Sequence, residues 1–191
     1  MSIQSKNSEP REWEIQSRHL HADCRVFSVL RKKCKHPDRD STRDFFSLSS
    51  PDWVNVVAVT PQREVLLIKQ FRFGVEDFAL EIPGGIIDEG EDAVTAGLRE
   101  LKEETGYVGE NARIIGNVWP NPAIMDNRCW FVLVKNVVKK FESEWDGDEE
   151  IGVSLEEMET VFRMVEEGTI KHALVVSALS LFRAIWAEKP G

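Results

Sequence analysis

The sequence predicts a mixed α/β domain, and three observations carry that reading. Strand-length runs of β-branched and aromatic residues fill the first 80 positions. One strongly patterned helix then follows a Pro-Gly-Gly break. Helical periodicity returns only near the C-terminus. Strands, one central helix, more strands and then helices is not the order of a regular parallel βαβ array. The 191 residues suit one domain with a small extension.

Residues 1–10 read as a frayed tail, and "MSIQSKNSEPREWEIQ" has no apolar run, so no signal peptide is expected. From Glu12 to about Leu48 the chain reads as short strands, "CRVFSVLRKK" and "RDFFSLSS" among them, separated by the charged turn "KHPDRDS". "WVNVVAVT" and "EVLLIKQFRF" follow, and the short join "PQR" predicts a hairpin. "FALEIPGG" is a further strand ending in a breaker. Residues 91–105 are predicted as helix. "ARIIGNVWP" and "RCWFVLVKNV" are two more strands. From Ser154 onward the prediction is helical. "SLEE" has the form of a capping box, with Ser154 as cap and Glu157 three residues on. Gly168 ends that helix, and "IKHALVVSALSLFRAIWAE" forms the last.

The formal charge of −9 argues against a nucleic-acid partner, which calls for a basic face. No run reaches about 18 apolar residues, so no membrane-spanning helix is expected. Cys24, Cys34 and Cys129 are odd in number and match no zinc spacing, which suggests reduced thiols and a cytoplasmic location.

Charge is concentrated at residues 81–107, "EIPGGIIDEGEDAVTAGLRELKEETGY", where eight acids meet only Arg99 and Lys102. At about 100° per residue, Val94, Gly97, Leu98 and Leu101 share one side, expected to pack on a sheet. Glu100, Glu103 and Glu104 share another, with Ala93 and Ala96 leaving room above them. Carboxylates three and four apart are neighbours on a helix. Two unit charges about 4 Å apart repel by about 4 kcal/mol at an effective dielectric of about 20. A proton or a divalent cation relieves that repulsion. Oxygen-only ligands favour a hard ion, Mg²⁺ or Mn²⁺. A solvated acidic face is the alternative.

From Gly85 the spacing runs Gly85, five residues, Glu91, seven residues, Arg99-Glu100-Leu101, one residue, Glu103-Glu104, one residue, Gly106-Tyr107. This resembles the Nudix box, G-x5-E-x7-R-E-U-x-E-E-x-G-U, at all seven fixed positions; Tyr107 stands where the pattern has an aliphatic residue. The resemblance implies a Nudix fold, with a mixed β-sheet sandwiched between helices, and metal-dependent hydrolysis of a diphosphate linkage. It implies Glu100 and Glu104 as metal ligands, joined by the Gly84 carbonyl. Glu103 is a further ligand or a catalytic group. Arg99 orients the carboxylates, Glu91 ties loop to helix, Gly85 permits a tight entry into the helix, and Gly106 ends it.

Three features resemble the ADP-ribose and nucleoside-diphosphate-sugar pyrophosphatase branch. Pro122 lies fifteen residues beyond Tyr107. About fifty residues precede "DWVNVVAVT", matching an added N-terminal β-unit that serves dimerisation. This implies a homodimer, with residues 1–50 as that unit and residues 51–191 as the hydrolase domain. "IKQFRFG" makes Arg72 a substrate-contact candidate, and Trp53 is a candidate for stacking on a base or for core packing. The implied substrate is a nucleoside diphosphate sugar; triphosphates, dinucleoside polyphosphates and a non-catalytic sensor are the alternatives. In the same branch the acidic stretch "ESEWDGDEEIGV" supplies a ligand, here Glu149, and a general base, Glu150 or Asp148. His19 and His21, with Asp23, would share one strand face, and are read as solvated polar residues.

Overall fold

A computed structural model of the chain describes residues 9–145 and 150–187, which form two compact units. The smaller comprises the chain up to Ser50 together with Asn121–Asp126. Strands β1 (Glu14–Asp23), β2 (Ser28–Lys35) and β3 (Thr42–Ser49) make an antiparallel sheet in the order β1-β2-β3. The segment at 121–126 pairs along β3: Leu48 N–H donates to Ile124 O (2.6 Å) and Asp126 N–H to Leu48 O (3.3 Å). A register shift between Leu20 and Ala22 breaks the alternation expected to carry His19, His21 and Asp23 along one face. His21 instead packs edge-to-face on Phe46.

The larger unit holds β4 (Trp53–Val59), β5 (Glu64–Arg72), β6 (Asp77–Glu81), β7 (Gly84–Ile86), α1 (Ala93–Thr105), β8 (Tyr107–Val118), β9 (Cys129–Lys139), β10 (Ile151–Glu157), α2 (Met158–Glu166) and α3 (Ala173–Ala187). Its sheet runs β10-β5-β4-β9-β8, with β6 on β5 and β7 on β4. Only β4 and β9 pair in parallel, so the sheet is mixed.

Both faces of this sheet are buried, and the alternation along each strand sorts its side chains. Val57, Val59, Val65, Leu67, Phe131 and Leu133 pack with Phe162, Ala178 and Phe182 of α2 and α3. Val54, Val56, Ala58, Leu66, Ile68 and Val132 pack with Ala96 and Leu101 of α1. The sheet is thus sandwiched between helices.

The predicted β4–β5 hairpin forms at its turn, where Thr60 N–H donates to Glu64 O at 2.9 Å. Ladder pairing between the two strands stops at Val59–Val65. Beyond it the strands separate: β6 takes the edge of β5, and β7 takes the edge of β4. The split sets Gly84 and Gly85 beside α1.

Two predicted details change. Residues 151–157 are strand β10, paired with β5 from Ile151–Gln70 to Glu157–Glu64, so Ser154 caps no helix. α2 begins at Met158, and Glu157 makes no capping side-chain bond. The free edge of β5 outcompetes a local box worth about 1 kcal/mol. Around α1, Leu98 is exposed whereas Ala93 and Ala96 are buried. The small residues face the sheet because the helix lies close to β4: a Cβ on Gly97 would stand 3.1 Å from Val56 Cγ2.

Candidate active site

Helix α1 is fixed at both ends. Asp92 has extended backbone angles, and its carboxylate accepts from the N–H groups of Val94 (2.9 Å) and Thr95 (3.1 Å), satisfying donors that a helix start leaves open. Thr95 O–H donates to the same carboxylate at 2.6 Å and is the main cause holding Asp92 below the usual carboxylate range. Gly106 ends the helix at φ 73° in the left-handed region, as predicted.

Strand β7 lies against the acid-bearing face of α1. Gly84 N–H donates to Glu104 Oε2 at 2.9 Å. A Cβ on Gly85 would stand 2.3 Å from Glu100 Oε1. Gly85 therefore serves close approach to a carboxylate rather than a tight turn; the loop's positive φ, 85°, belongs to Gly90. The two glycines bring Glu100 and Glu104 to one short stretch of main chain.

Arg99 organises the rest. Its guanidinium donates to Glu91 (3.2 and 2.9 Å), Glu100 (2.8 Å), Glu103 (3.2 Å) and the Ile86 carbonyl (2.9 Å). The bond from Arg99 holds the Glu91 carboxyl below its ordinary range, and the carboxylates in turn raise the guanidinium's affinity for its proton. Glu91 also accepts from Asp88 N–H at 3.3 Å, tying loop to helix as expected.

Arg99, Glu100, Glu103 and Glu104 line a cleft of about 750 Å³ with Ile86, Asp88, Glu144 and Trp145. Five carboxylates (Asp88, Glu100, Glu103, Glu104, Glu144) face one guanidinium there. Sequence reading did not single out Asp88, Glu144 or Trp145. Glu144 and Trp145 lie inside the acidic stretch, and their position follows from a path only the fold supplies. Glu144 N–H donates to Glu103 O (2.8 Å) and Trp145 Nε1 to Glu104 O (3.0 Å).

A second pocket, of about 240 Å³, gathers Trp53, Arg72 and Gly85 from the predicted set with Asn55, Glu81 and His172. Arg72 forks onto Glu81 (2.6 and 2.9 Å), whose side chain is 1 % exposed. His172 Nε2 lies 3.9 Å from the same carboxylate. Trp53 is half-buried against the α2/α3-side core. Buried Glu81 carried a signal in sequence, an acid closing an apolar strand before Pro83. Pro122 is an exposed turn residue of the smaller unit. Glu150 is exposed immediately before β10. Glu149 and Asp148 lie outside the described residues.

The Nudix domain model matches residues 50–176. The chain belongs to the Nudix hydrolases. It is 32% identical over 143 residues to the ADP-ribose pyrophosphatase of Bacillus subtilis, covering 73% of this chain and 77% of that protein. It is 33% identical over 134 residues to the ADP-ribose pyrophosphatase of Saccharomyces cerevisiae, covering 63% of this chain and 58% of that one. A crystal structure of an ADP compounds hydrolase superposes with a TM-score of 0.83 over 94% of this chain and 97% of that chain, at 21% identity, a likeness of fold.

A Nudix hydrolase works with a divalent metal ion. Among the described residues, no three His, Cys, Asp or Glu side chains converge on one point as they stand; Arg99 supplies the counter-charge. The donor set nonetheless fits a hard cation: every candidate is a carboxylate or a main-chain oxygen, on a cleft with a formal excess of acid.

Proposed function

We propose that this Nudix hydrolase cleaves the pyrophosphate linkage of nucleoside diphosphate sugars, of the ADP-ribose or GDP-mannose kind, with Mg²⁺ or Mn²⁺. The products are a nucleoside monophosphate and a sugar phosphate. One observation carries the reading: Arg99, on the helix that also carries Glu104, ties Glu91, Glu100 and Glu103 together, and Gly84 N–H holds the Glu104 carboxylate, beside the acidic cleft.

Glu100, Glu104 and the Gly84 carbonyl would hold the ion, with Glu103 a further ligand or a catalytic group and Glu149 a ligand from the loop. When bound, such an ion neutralises phosphate charge and lowers the pKa of a water. The chain's own residues do the rest. Arg99 holds Glu100 and Glu103 in place. Gly84 N–H fixes the Glu104 carboxylate. Glu150 or Asp148 would take the proton from the attacking water. In the second pocket, Arg72 would contact the substrate near its phosphates and Trp53 would stack on its base, with Gly85 between the two regions; Pro122 is assigned to substrate binding from sequence alone.

We assign residues 1–50 to dimer formation and residues 51–191 to hydrolysis, and expect a homodimer in the cytoplasm, where three unpaired cysteines remain reduced. No helix among the described residues is long and apolar enough to cross a membrane. Incubation with ADP-ribose, GDP-mannose, UDP-glucose and dinucleoside polyphosphates, each with Mg²⁺ or Mn²⁺, tests the substrate class. A nucleoside monophosphate plus a sugar phosphate is the expected product pair. Release of inorganic pyrophosphate from triphosphates as the main activity would replace the proposal with triphosphate hydrolysis.

A further inference from the structure

We infer that Trp145 is a positioning residue for the metal-binding turn, acting through the main chain of Glu104. The inference rests on the reading that Glu100, Glu103 and Glu104 hold the cation.

The last turn of α1 carries Glu103 and Glu104 and is under two physical handicaps. Its final carbonyls have no intrahelical donors. Its acids sit at the negative end of the helix dipole, where carboxylates are unfavourable. Such a turn frays unless something outside the helix satisfies it.

Residues 140–145 do so. Lys140 and Phe141 N–H both donate to Gly106 O (3.0 and 3.1 Å), and Glu144 N–H donates to Glu103 O (2.8 Å). Trp145 Nε1 then donates to Glu104 O (3.0 Å). The segment presses on the helix end: a Cβ on Gly106 would stand 2.0 Å from Phe141 O. Lys102 also lies over the Phe141 ring at 4.9 Å.

Trp145 is the one side chain among these donors. At 43% exposed it is no core residue. It lines the cleft together with the carboxylates, and its polar atom is spent on the main chain of a candidate ligand. Removing that N–H leaves a carbonyl of a largely buried residue without this donor, and the turn gains freedom. Glu103 and Glu104 move with the turn, so the loss falls on cation affinity rather than on chemistry at saturating metal.

The test is Mn²⁺ binding to the full chain without substrate, read by the electron paramagnetic resonance of free Mn²⁺. Trp145→Phe keeps a ring and removes the donor. Its Mn²⁺ dissociation constant is expected to rise about fivefold to tenfold, the loss of one hydrogen bond, with kcat at saturating Mn²⁺ within about twofold of wild type. Phe141→Leu disturbs the same segment and keeps the indole; its affinity should stay within about twofold. An unchanged dissociation constant in Trp145→Phe overturns the assignment. An equal loss in both variants also does, because the segment as a whole is then responsible. So does a Trp145→Phe protein whose far-UV circular dichroism collapses alongside its affinity. Failure of the wild-type chain to bind Mn²⁺ at all sinks the underlying metal reading instead, which keeps the two failures apart.

Discussion

In the acidic cleft one guanidinium, Arg99, is shared among Glu91, Glu100 and Glu103, whereas in the second pocket Arg72 forks onto the single carboxylate of Glu81. Among the described residues, the five carboxylates and one guanidinium that line the cleft sum to a formal −4, before counting Glu91, which also draws on Arg99. The Arg72–Glu81 pair is formally neutral and sets a 1 %-exposed carboxylate against a 40 %-exposed guanidinium. The two regions belong to the same α/β unit and use the same residue types. The difference is one of balance. A buried carboxylate with its own partner is a structural commitment, and breaking it exposes the fold to an uncompensated charge. Carboxylates that outnumber their cations hold charge in reserve for a ligand. Acid removed from the first region should therefore cost function, and a partner removed from the second should cost stability.

Glu104→Gln is the sharpest break. The amide oxygen can still accept from Gly84 N–H, and one repelling charge is gone, so the melting temperature should hold or rise. Turnover of ADP-ribose at millimolar Mg²⁺ should fall about a thousandfold, the scale of losing several kcal/mol of charge stabilisation. Steady-state kinetics beside a thermal melt checks both halves; near-normal turnover would contradict the ligand assignment. Arg72→Met should add a loss of stability to the weaker substrate binding expected of a substrate-contact residue. Stranding Glu81 is expected to cost about 3 kcal/mol, the low end for a broken buried pair because Arg72 is partly exposed, lowering the melting temperature by about 6–12 °C. Adding Glu81→Leu should recover most of that loss in urea titrations. A double variant as unstable as the single would mean that Arg72 acts through packing and not through charge.

Gly85→Ala probes the reserve without changing any charge. Its methyl group would fall 2.3 Å from Glu100 Oε1. The obstructing group is the carboxyl end of a flexible side chain, so the fold should survive with a loss of about 1 kcal/mol, the low end for an added methyl group. Displacing that carboxylate by about 1 Å should cost about thirtyfold to a hundredfold in turnover.

The acidic cleft was legible in sequence because its members lie on one helix and the loop before it, where spacing alone places Glu91, Arg99, Glu100, Glu103 and Glu104. Local chemistry also announced the Gly106 cap and the Gly168 stop. The second pocket was only half legible: Arg72 and Trp53 stand out as residue types, but Glu81 and His172 meet them only because β4 and β5 part and α3 returns to that end of the sheet. Ser154 misled for the converse reason. Its capping box is a sound local signal, and the open edge of β5 drew the segment into a strand. Of the α1 face expected on the sheet, Val94, Gly97 and Leu101 do pack there, but Leu98 turns out and Ala93 and Ala96 turn in, because a helix lying tight on β4 selects small residues, a constraint that periodicity does not contain.

The smallest expected effect isolates a third kind of carboxylate, one satisfied by main-chain donors. Asp92 is held below its usual range by Thr95, first through the hydroxyl and then through main-chain N–H groups. A folded value below the unfolded one gives stability that is fully present above about pH 4, the unfolded value, and is lost as pH falls through the folded value. Asp92→Asn keeps a cap of similar quality and removes the titration. Near neutral pH the variant should match the wild type closely. As acid is added its stability should fall less steeply, which urea unfolding between about pH 3 and about pH 7 would register as a shallower acid limb. Glu91, depressed by Arg99 and pushed back up by the Asp92 charge, titrates with the same sign in both proteins and is depressed further once that charge is gone, so the difference between the two limbs is a lower bound on the cap's share. Identical limbs would mean that Thr95 donates as strongly to Asp92 in the unfolded chain, and that the start of α1 is already formed there.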